Sequence, residues 1–171
     1  MKKATQKILL AIVAIATLGL TSASAQVYQK GDNLLNLGIG LGGGFGTPIG
    51  ASFEHGFTEN ISGGAMVTYS GVTTPGFGGD IKYSYIIAGV RASYHHDFGI
   101  ENLDTYGGVM LGYNVASVSY PSAYAGPKAT AGGVAYSGFV GARYYFTPKL
   151  GAFGEVGYGV ANLSVGLALK F

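Results

Sequence analysis

Five ionisable residues have the types and spacing that could do chemistry in this chain: Glu54, Arg91, His95, Arg143 and Glu155. Each lies in a run where apolar residues alternate with small or polar ones, and each falls on the polar side of its run. Such groups on one shared face could select ions or contact a ligand, or they could pair as structural salt bridges. Because an unpaired buried charge is very costly, we favour the structural network.

The turn centred on Pro148 gives a specific expectation for one of these pairs. If the flanking segments pair symmetrically about it, Arg143 lies opposite Phe153 and diagonal to Glu155. Diagonal neighbours in a sheet are about 7 to 8 Å apart, within reach of long side chains. The sequence therefore favours an Arg143–Glu155 ion pair.

Catalytic, metal and cofactor sites have little support in the sequence. His95 and His96 are adjacent, so alternation sends them to opposite faces of a strand, where they cannot share a metal ion. The chain contains no cysteine, which excludes disulfides and thiolate metal sites. The glycine-rich run 38–44 lacks the following helix that a phosphate-binding loop needs. We predict no catalytic residue, no metal and no cofactor.

The elements that carry these residues have the period of β-strands. Residues at alternate positions, such as Leu35, Leu37, Ile39 and Leu41, are apolar, and the residues between them are small or polar. About eight such runs are present, an even count as in single-chain outer-membrane barrels. They cover approximately residues 35–42, 49–57, 61–70, 81–98, 108–115, 140–146, 155–160 and 162–171.

Low charge and the absence of a long apolar run point to a membrane barrel. Charged residues make up 11% of the chain, against about 25% in soluble domains. Only helices and closed barrels satisfy the backbone in lipid, and no mature segment is long enough for a spanning helix. We therefore predict an all-β fold over residues 26–171: an eight-stranded antiparallel transmembrane β-barrel with up-and-down meander topology.

A soluble barrel or sandwich would show the same alternation. Several of the runs have about 9 to 11 residues, the length that crosses a bilayer when tilted, and this favours the membrane barrel. So do polar faces rich in Gly, Ser and Asn. Tyr and Phe residues near the strand ends are typical of interfacial girdles. They are Phe57, Tyr69, Tyr94, Phe98, Tyr144, Phe146 and Tyr158.

The connections suggest which end of the barrel is which. Those at 58–60, 99–104 and 147–149 are short, whereas 71–80 and 117–130 are longer and rich in Gly, Pro, Ser and Thr. Short turns are typical of the periplasmic end and long loops of the extracellular end. Both termini are therefore expected in the periplasm.

Residues 1–25 have the three parts of a signal peptide. Three lysines precede an apolar stretch from Ile8 to Leu20, and Ala23-Ser24-Ala25 is a small-residue cleavage pattern. An N-terminal anchor helix is the alternative. Removing three lysines lowers the formal charge from +2 to −1, so no basic patch indicates a nucleic-acid partner.

The last eleven residues resemble the C-terminal strand of outer-membrane barrels. Leu163, Val165, Leu167, Leu169 and Phe171 alternate and end on an aromatic residue. The segments 89–95, 141–148 and 154–159 resemble strands of the small outer-membrane β-barrel or porin-like family, of the OmpA/OmpX type. The resemblance implies a Gram-negative outer membrane and contact with its lipid. It also implies assembly by periplasmic chaperones and the barrel assembly machinery, which would read the terminal strand.

Function within that family is open at this stage. We favour a structural or surface-interaction barrel, with a narrow porin-like channel for small solutes as the alternative. A lipid A-modifying enzyme is disfavoured, because no histidine lies near a long loop. The sequence names no external ligand.

The signal-peptide assignment gives a first testable prediction. Mature protein extracted from membranes should begin at Gln26, because the cleavage pattern ends at Ala25. N-terminal sequencing measures this directly, and a sequence that starts at Met1 would contradict the assignment.

Overall fold

The computed structural model describes residues 28–76, 79–120 and 129–171. The expected signal peptide, including Ala23 and Ala25, lies outside the described residues. Within them, no helix is long and apolar enough to cross a membrane.

Eight antiparallel strands form a closed barrel in which every strand pairs with its neighbours in sequence, as predicted. The first and last strands close it, with Leu35 opposite Leu169 and Leu41 opposite Leu163. Closure leaves these two strands without a free edge in this region. The strands are β1 Asn33–Leu41, β2 Ile49–Gly56, β3 Ile61–Gly76, β4 Gly79–His96, β5 Leu103–Ser119, β6 Ala129–Tyr145, β7 Leu150–Tyr158 and β8 Leu163–Lys170.

The alternation places apolar side chains outside and polar ones inside. Val90 and Val140 are 65% and 64% exposed on the outer surface, whereas Asn36 and Arg143 are buried in the lumen. Exposed aromatic rings lie on both sides of this apolar belt. On β6, the exposed rings of Tyr136 and Tyr144 are the ends of a nine-residue stretch, a length that crosses a bilayer when the strand is tilted.

The barrel has two different ends. The end that we call the terminal end holds both described chain ends and the turns 57–60, 97–102 and 146–149. The opposite end is called the loop end. There, strands β3 to β6 are longer than the other four. At this end β2 and β7 stop at Ile49 and Tyr158, and their neighbours β3 and β6 continue past these residues.

This extension corrects the predicted long loop at 71–80, whose described residues are strand, since β3 and β4 pair up to Gly76 and Gly79. At the second predicted loop, 117–130, β5 and β6 pair up to Val118 and Ala129, and residues 121–128 lie outside the described residues. Beyond the apolar belt neither face of the sheet requires apolar residues. The alternation of apolar and polar residues in the sequence therefore becomes weak, although the strands remain paired. We call this four-stranded extension the ledge: residues 70–76, 79–85, 115–119 and 129–137. It rises about 20 to 30 Å along its strands.

A second correction concerns the end of β7. The alternation predicted Val160 on the outer face with Val156 and Tyr158. Instead β7 ends at Tyr158, and Gly159 adopts a positive φ of 112° that turns the chain inward. Val160 is then buried against the inward-facing side chains of Ile87, Met110 and Ala135. Phe153, on the polar face of its run, also points into the lumen and is buried.

Adjacent positions on β8 test this inside-outside arrangement. In phospholipid bilayers, Val165→Arg should lower the free energy of unfolding by about 2 to 4 kcal/mol, because Val165 is exposed within the apolar belt. Ser164→Arg should cost clearly less, because Ser164 lies opposite Glu155 on the inner face. Urea titration of refolded protein measures both. Equal costs would contradict the assigned faces.

Candidate functional site

Six ionisable side chains from five strands converge in the half of the lumen near the terminal end. We call this set the lumen network: Glu54, Arg91, His95, Asp104, Arg143 and Glu155. The structure brings all five of the residues singled out in the sequence together and adds Asp104.

Arg143 is the most enclosed member of the lumen network. Its side chain has no exposed surface, and its guanidinium group contacts three strands. Nη1 donates to Asp104 at 2.8 Å, Nη2 to Glu54 at 3.1 Å, and Nε to the Asn36 side-chain oxygen at 3.0 Å. The guanidinium carbon also lies 3.9 Å from the centre of the Tyr106 ring. The charge is therefore compensated by two carboxylates and an aromatic face.

Arg91 lies between the carboxylates of Glu54 and Glu155. Its Nη2 donates to Glu155 at 2.8 Å, and its Nε lies 2.7 Å from Glu54 without the alignment of a hydrogen bond. The Glu155 carboxylate also accepts from the Tyr106 hydroxyl at 3.0 Å. A Cβ at Gly141 would lie 2.8 Å from the Glu155 side chain and 3.0 Å from the Tyr106 ring, so glycine makes room for this contact.

His95 lies between two carboxylates. Its Nδ1 is 2.7 Å from Asp104, and its Nε2 is 2.8 Å from the Ser62 hydroxyl. Ser62 in turn donates to Glu54 at 2.6 Å. The chain of contacts runs from Asp104 through His95 and Ser62 to Glu54, and all four residues are buried.

The predicted Arg143–Glu155 pair is wrong, although the strand register behind it is right. Arg143 lies opposite Phe153, as the Pro148 turn indicated. Its ionic partners are nevertheless Glu54 and Asp104, while Glu155 pairs with Arg91. The reason is geometric: inward side chains of a narrow barrel reach across the lumen, so a neighbour on the sheet is not the nearest charge.

Asp104 was missed because it was assigned to the turn before β5. A usable signal was present, since in the run 108–115 Gly108 and Met110 alternate with the apolar Val109 and Leu111, which places Gly108 and Met110 on the inner face. Extending the same alternation back through Tyr106 puts Asp104 inside. In the structure it lies directly opposite Arg143.

Tyr28 covers the lumen network at the terminal end. Its ring stacks on His95 with centroids 3.6 Å apart, and its hydroxyl lies 2.7 Å from the Ile61 carbonyl oxygen. Burial, together with the nearby carboxylates of Asp104 and Asp32, raises the pKa of Tyr28 to about 12. The phenol is therefore neutral and donates its proton to the carbonyl.

On the other side of the network, towards the loop end, lies a cavity of about 70 Å³. Arg91 and Glu155 form part of its wall, with Asn36, Phe139 and Phe153. In the described part of the chain, no group of three or more histidine, aspartate or glutamate side chains is arranged to hold a metal ion. The remaining His55 and His96 lie near the terminal end, outside the lumen network.

Solved structures with this fold are outer-membrane barrels. The N-terminal barrel domain of Pseudomonas aeruginosa OprF is 14% identical with a TM-score of 0.56, and the match covers 84% of this chain and 100% of that one. Neisserial surface protein A is 19% identical with a TM-score of 0.52, and the match covers 82% of this chain and 94% of that one. A third structure is Ail, the attachment invasion locus protein of Yersinia pestis, in complex with the heparin analogue sucrose octasulfate. It is 12% identical with a TM-score of 0.51, and the match covers 83% of this chain and 96% of that one. The chain thus has the fold of eight-stranded outer-membrane barrels.

No protein-family model matches the sequence, and no curated protein is detectably similar to it. The likeness is therefore one of fold.

A double-mutant cycle tests the pairing within the lumen network. Arg143→Met should cost about 3 to 5 kcal/mol of unfolding free energy, because it leaves buried carboxylates uncompensated. Adding Asp104→Asn should recover part of that cost, because the two residues are in direct contact. As the matched control, Arg143→Met with Glu155→Gln should show clearly weaker coupling. The opposite ranking of the two couplings would contradict the geometry.

The raised pKa of Tyr28 predicts an alkaline transition. A phenol whose pKa rises on folding stabilises the folded state fully below the ordinary value near 10, and this stabilisation is lost as pH rises towards 12. The phenolate absorbance of wild type minus that of Tyr28→Phe should therefore titrate with a midpoint near 12. A difference spectrum that titrates near the ordinary tyrosine value would show that Tyr28 is not docked.

Proposed function

We propose that this chain is an integral outer-membrane barrel of a Gram-negative bacterium with a structural or surface-interaction role. Cleavage after Ala25 releases the mature barrel, which lies with its terminal end in the periplasm. The outward apolar belt, its aromatic borders and the likeness to outer-membrane barrels support this location. The C-terminal strand, ending at Phe171, is the segment that the assembly machinery and its chaperones would bind.

The observation that carries the surface role is the ledge. Strands β3 to β6 continue well past the apolar belt, so that an ordered sheet stands outside the membrane in this orientation. An extended sheet holds side chains and strand edges in fixed positions, which suits recognition of another surface. The likeness to the attachment invasion locus protein and to a Neisserial surface protein is consistent with such a role.

The chemistry of the ledge favours a neutral partner surface. Within its described residues, Lys82 and Asp80 are the only charged side chains, and threonine, serine and tyrosine provide most of the polar groups. Sulfated polysaccharides bind to clusters of basic residues. We therefore expect no strong affinity for heparin, in contrast to the complex named for the Yersinia pestis protein.

A narrow channel is the second candidate, supported by the lumen cavity near the loop end. The cavity stops at Arg91 and Glu155, which are joined at 2.8 Å, and the buried groups behind them fill the cross-section. Solutes could pass only if these pairs separated. Because separation would leave buried charges unpaired, a closed lumen is the favoured state.

Catalysis is disfavoured because the Ser62 hydroxyl is not accessible to a substrate. Asp104, His95 and Ser62 are ordered as in a serine hydrolase relay. However, Ser62 has no exposed surface, its proton is donated to Glu54, and Tyr28 covers the His95 ring. A substrate could not reach the hydroxyl in this arrangement.

Trimming the ledge while keeping the barrel tests the surface role. Deleting residues 72–83 leaves Gly71-Ser84 as a two-residue turn, and deleting 115–132 leaves Asn114-Gly133, both favoured in hairpins. Cells that display the full barrel should be retained on cultured epithelial cells, and cells that display the trimmed barrel should fall to background. Neither should bind heparin-coated surfaces.

The control is folding of both proteins, shown by a mobility difference between unboiled and boiled samples in detergent electrophoresis. Equal retention of the full and trimmed barrels would contradict the surface role of the ledge. Planar-bilayer recording distinguishes the narrow channel from the surface role, because stable conductance of the full barrel would favour the channel. A change in lipid A acylation on expression would instead favour an enzyme.

A further inference from the structure

The ledge has two side edges, because the strands next to it end before it does. The last pairs on its two sides join Gly138 of β6 to Tyr158, and Tyr69 of β3 to Ile49. Beyond these pairs, β3 and β6 have a strand partner on one side only within the residues that the structure describes. An unpaired edge presents a row of backbone N–H and C=O groups with which another strand can pair.

The direction of the backbone groups on β6 follows from hydrogen bonds at its far end. The Phe146 amide, just after β6, donates to the Leu150 carbonyl on the side of β7. The Tyr145 amide donates to the Asn102 carbonyl on the side of β5. These directions alternate along an antiparallel strand, and the register with β5 is continuous. Even-numbered residues of β6 therefore point their backbone groups to the β7 side, also where β7 has ended.

Part of the β6 edge is uncovered. Gly159 lies against the Tyr136 carbonyl oxygen and covers that position. The next even-numbered positions form what we call the open edge: Thr130, Gly132 and Val134. Within the described residues, no backbone group bonds to these three on that side. The strand segment that carries them also contains no proline and no charged residue, the features that commonly prevent pairing at an edge.

The β3 edge, in contrast, is protected. The Phe57 amide donates to the Ile61 carbonyl on the side of β2, so the odd-numbered residues of β3 point to its unpaired side. Pro75 is one of them and has no N–H to offer. Nearer the barrel, a Cβ at Gly46 would lie 2.7 Å from the Val72 side chain, so the connection between β1 and β2 lies against this edge.

A second copy of this chain in the same membrane does not fit the open edge. Barrel strands tilt by about 35 to 45°, so two upright copies related by a rotation about the membrane normal would bring their β6 edges together at a crossing angle of about 70 to 90°. No regular ladder forms at that angle. A copy placed side by side would offer its β3 edge, which is protected. The partner strand must therefore belong to a different molecule.

We propose that the open edge is a site of strand addition, at which an extended segment of another protein outside the membrane pairs with β6. The proposal rests on the surface role and on the orientation given above. Because the bonds come from backbone groups, the site selects an extended segment with free N–H groups and not a particular sequence. The absence of charge along the edge agrees with the neutral partner surface expected for the ledge.

Amide hydrogen exchange of the refolded full barrel tests the site, with a synthetic peptide of alternating threonine and valine and a lysine at each end as the probe. At millimolar peptide, protection of the Gly132 and Val134 amides should rise about tenfold, because both amides gain an acceptor. The Thr73 amide on the β3 edge should not change. The same peptide N-methylated at every threonine and valine has no core N–H to donate and should have no effect.

Two proline variants locate the binding. Val134→Pro removes an N–H of the open edge without taking a bond from the ladder with β5, so the peptide should no longer protect Gly132. Thr73→Pro makes the same change on the β3 edge and should keep the response. A mobility difference between unboiled and boiled samples shows that each variant is folded.

Absence of protection by the unmethylated peptide would overturn the proposal, and so would an equal effect of the N-methylated one. Protection that depends on barrel concentration without peptide would assign the edge to a second copy instead. The cell-retention assay keeps the surface role separate. Loss of retention on trimming the ledge, with full retention of Val134→Pro, would contradict strand addition alone. Equal retention of the trimmed barrel with intact peptide protection would contradict the surface role alone.

Discussion

The buried charge of Arg143 is the constraint on which the rest of the interior depends. Closing eight strands leaves a lumen just wide enough for side chains, and a guanidinium group placed there has little water to solvate it. Its compensation comes from Glu54, Asp104 and Asn36 on three other strands. The same carboxylates then fix Arg91 and His95, so one cation organises contacts that cross the whole barrel. Small residues complete the arrangement, because Gly141 provides the space in which Glu155 and Tyr106 meet.

This interior has consequences at both ends of the molecule. Ion pairs cross the lumen, so the barrel is stabilised from inside as well as by the hydrogen bonds between its strands. At the terminal end, the Tyr28 ring stacks on His95 and closes the lumen. The loop end is free of that requirement, and its four longer strands extend as the ledge. The division gives a rigid, internally braced barrel that supports an ordered external sheet. This shape is the reason why we propose a surface role rather than transport through the centre.

Comparison of sequence and structure shows where local patterns stop being informative. The alternation at Leu35 to Leu41 correctly placed β1, and the tight turn at Pro148 correctly set Arg143 opposite Phe153. The ion pairs could not be obtained in this way, since they join residues across the lumen rather than along the sheet. Strand length was also missed at the ledge. There apolar and polar residues occur on both faces, so the contrast that identifies a strand within the apolar belt disappears.

The sequence by itself determined the inside and outside of each strand, the number of strands and their order, because these depend on neighbouring residues and short turns. It also singled out five members of the lumen network, although not Asp104. Only the tertiary structure decided the partners of those charges, the inward turn of Val160 after Gly159, and the position of Tyr28 over His95. The physical reason is that each of these contacts depends on barrel closure. Closure fixes the distance between strands that are far apart in sequence, and no local period encodes that distance.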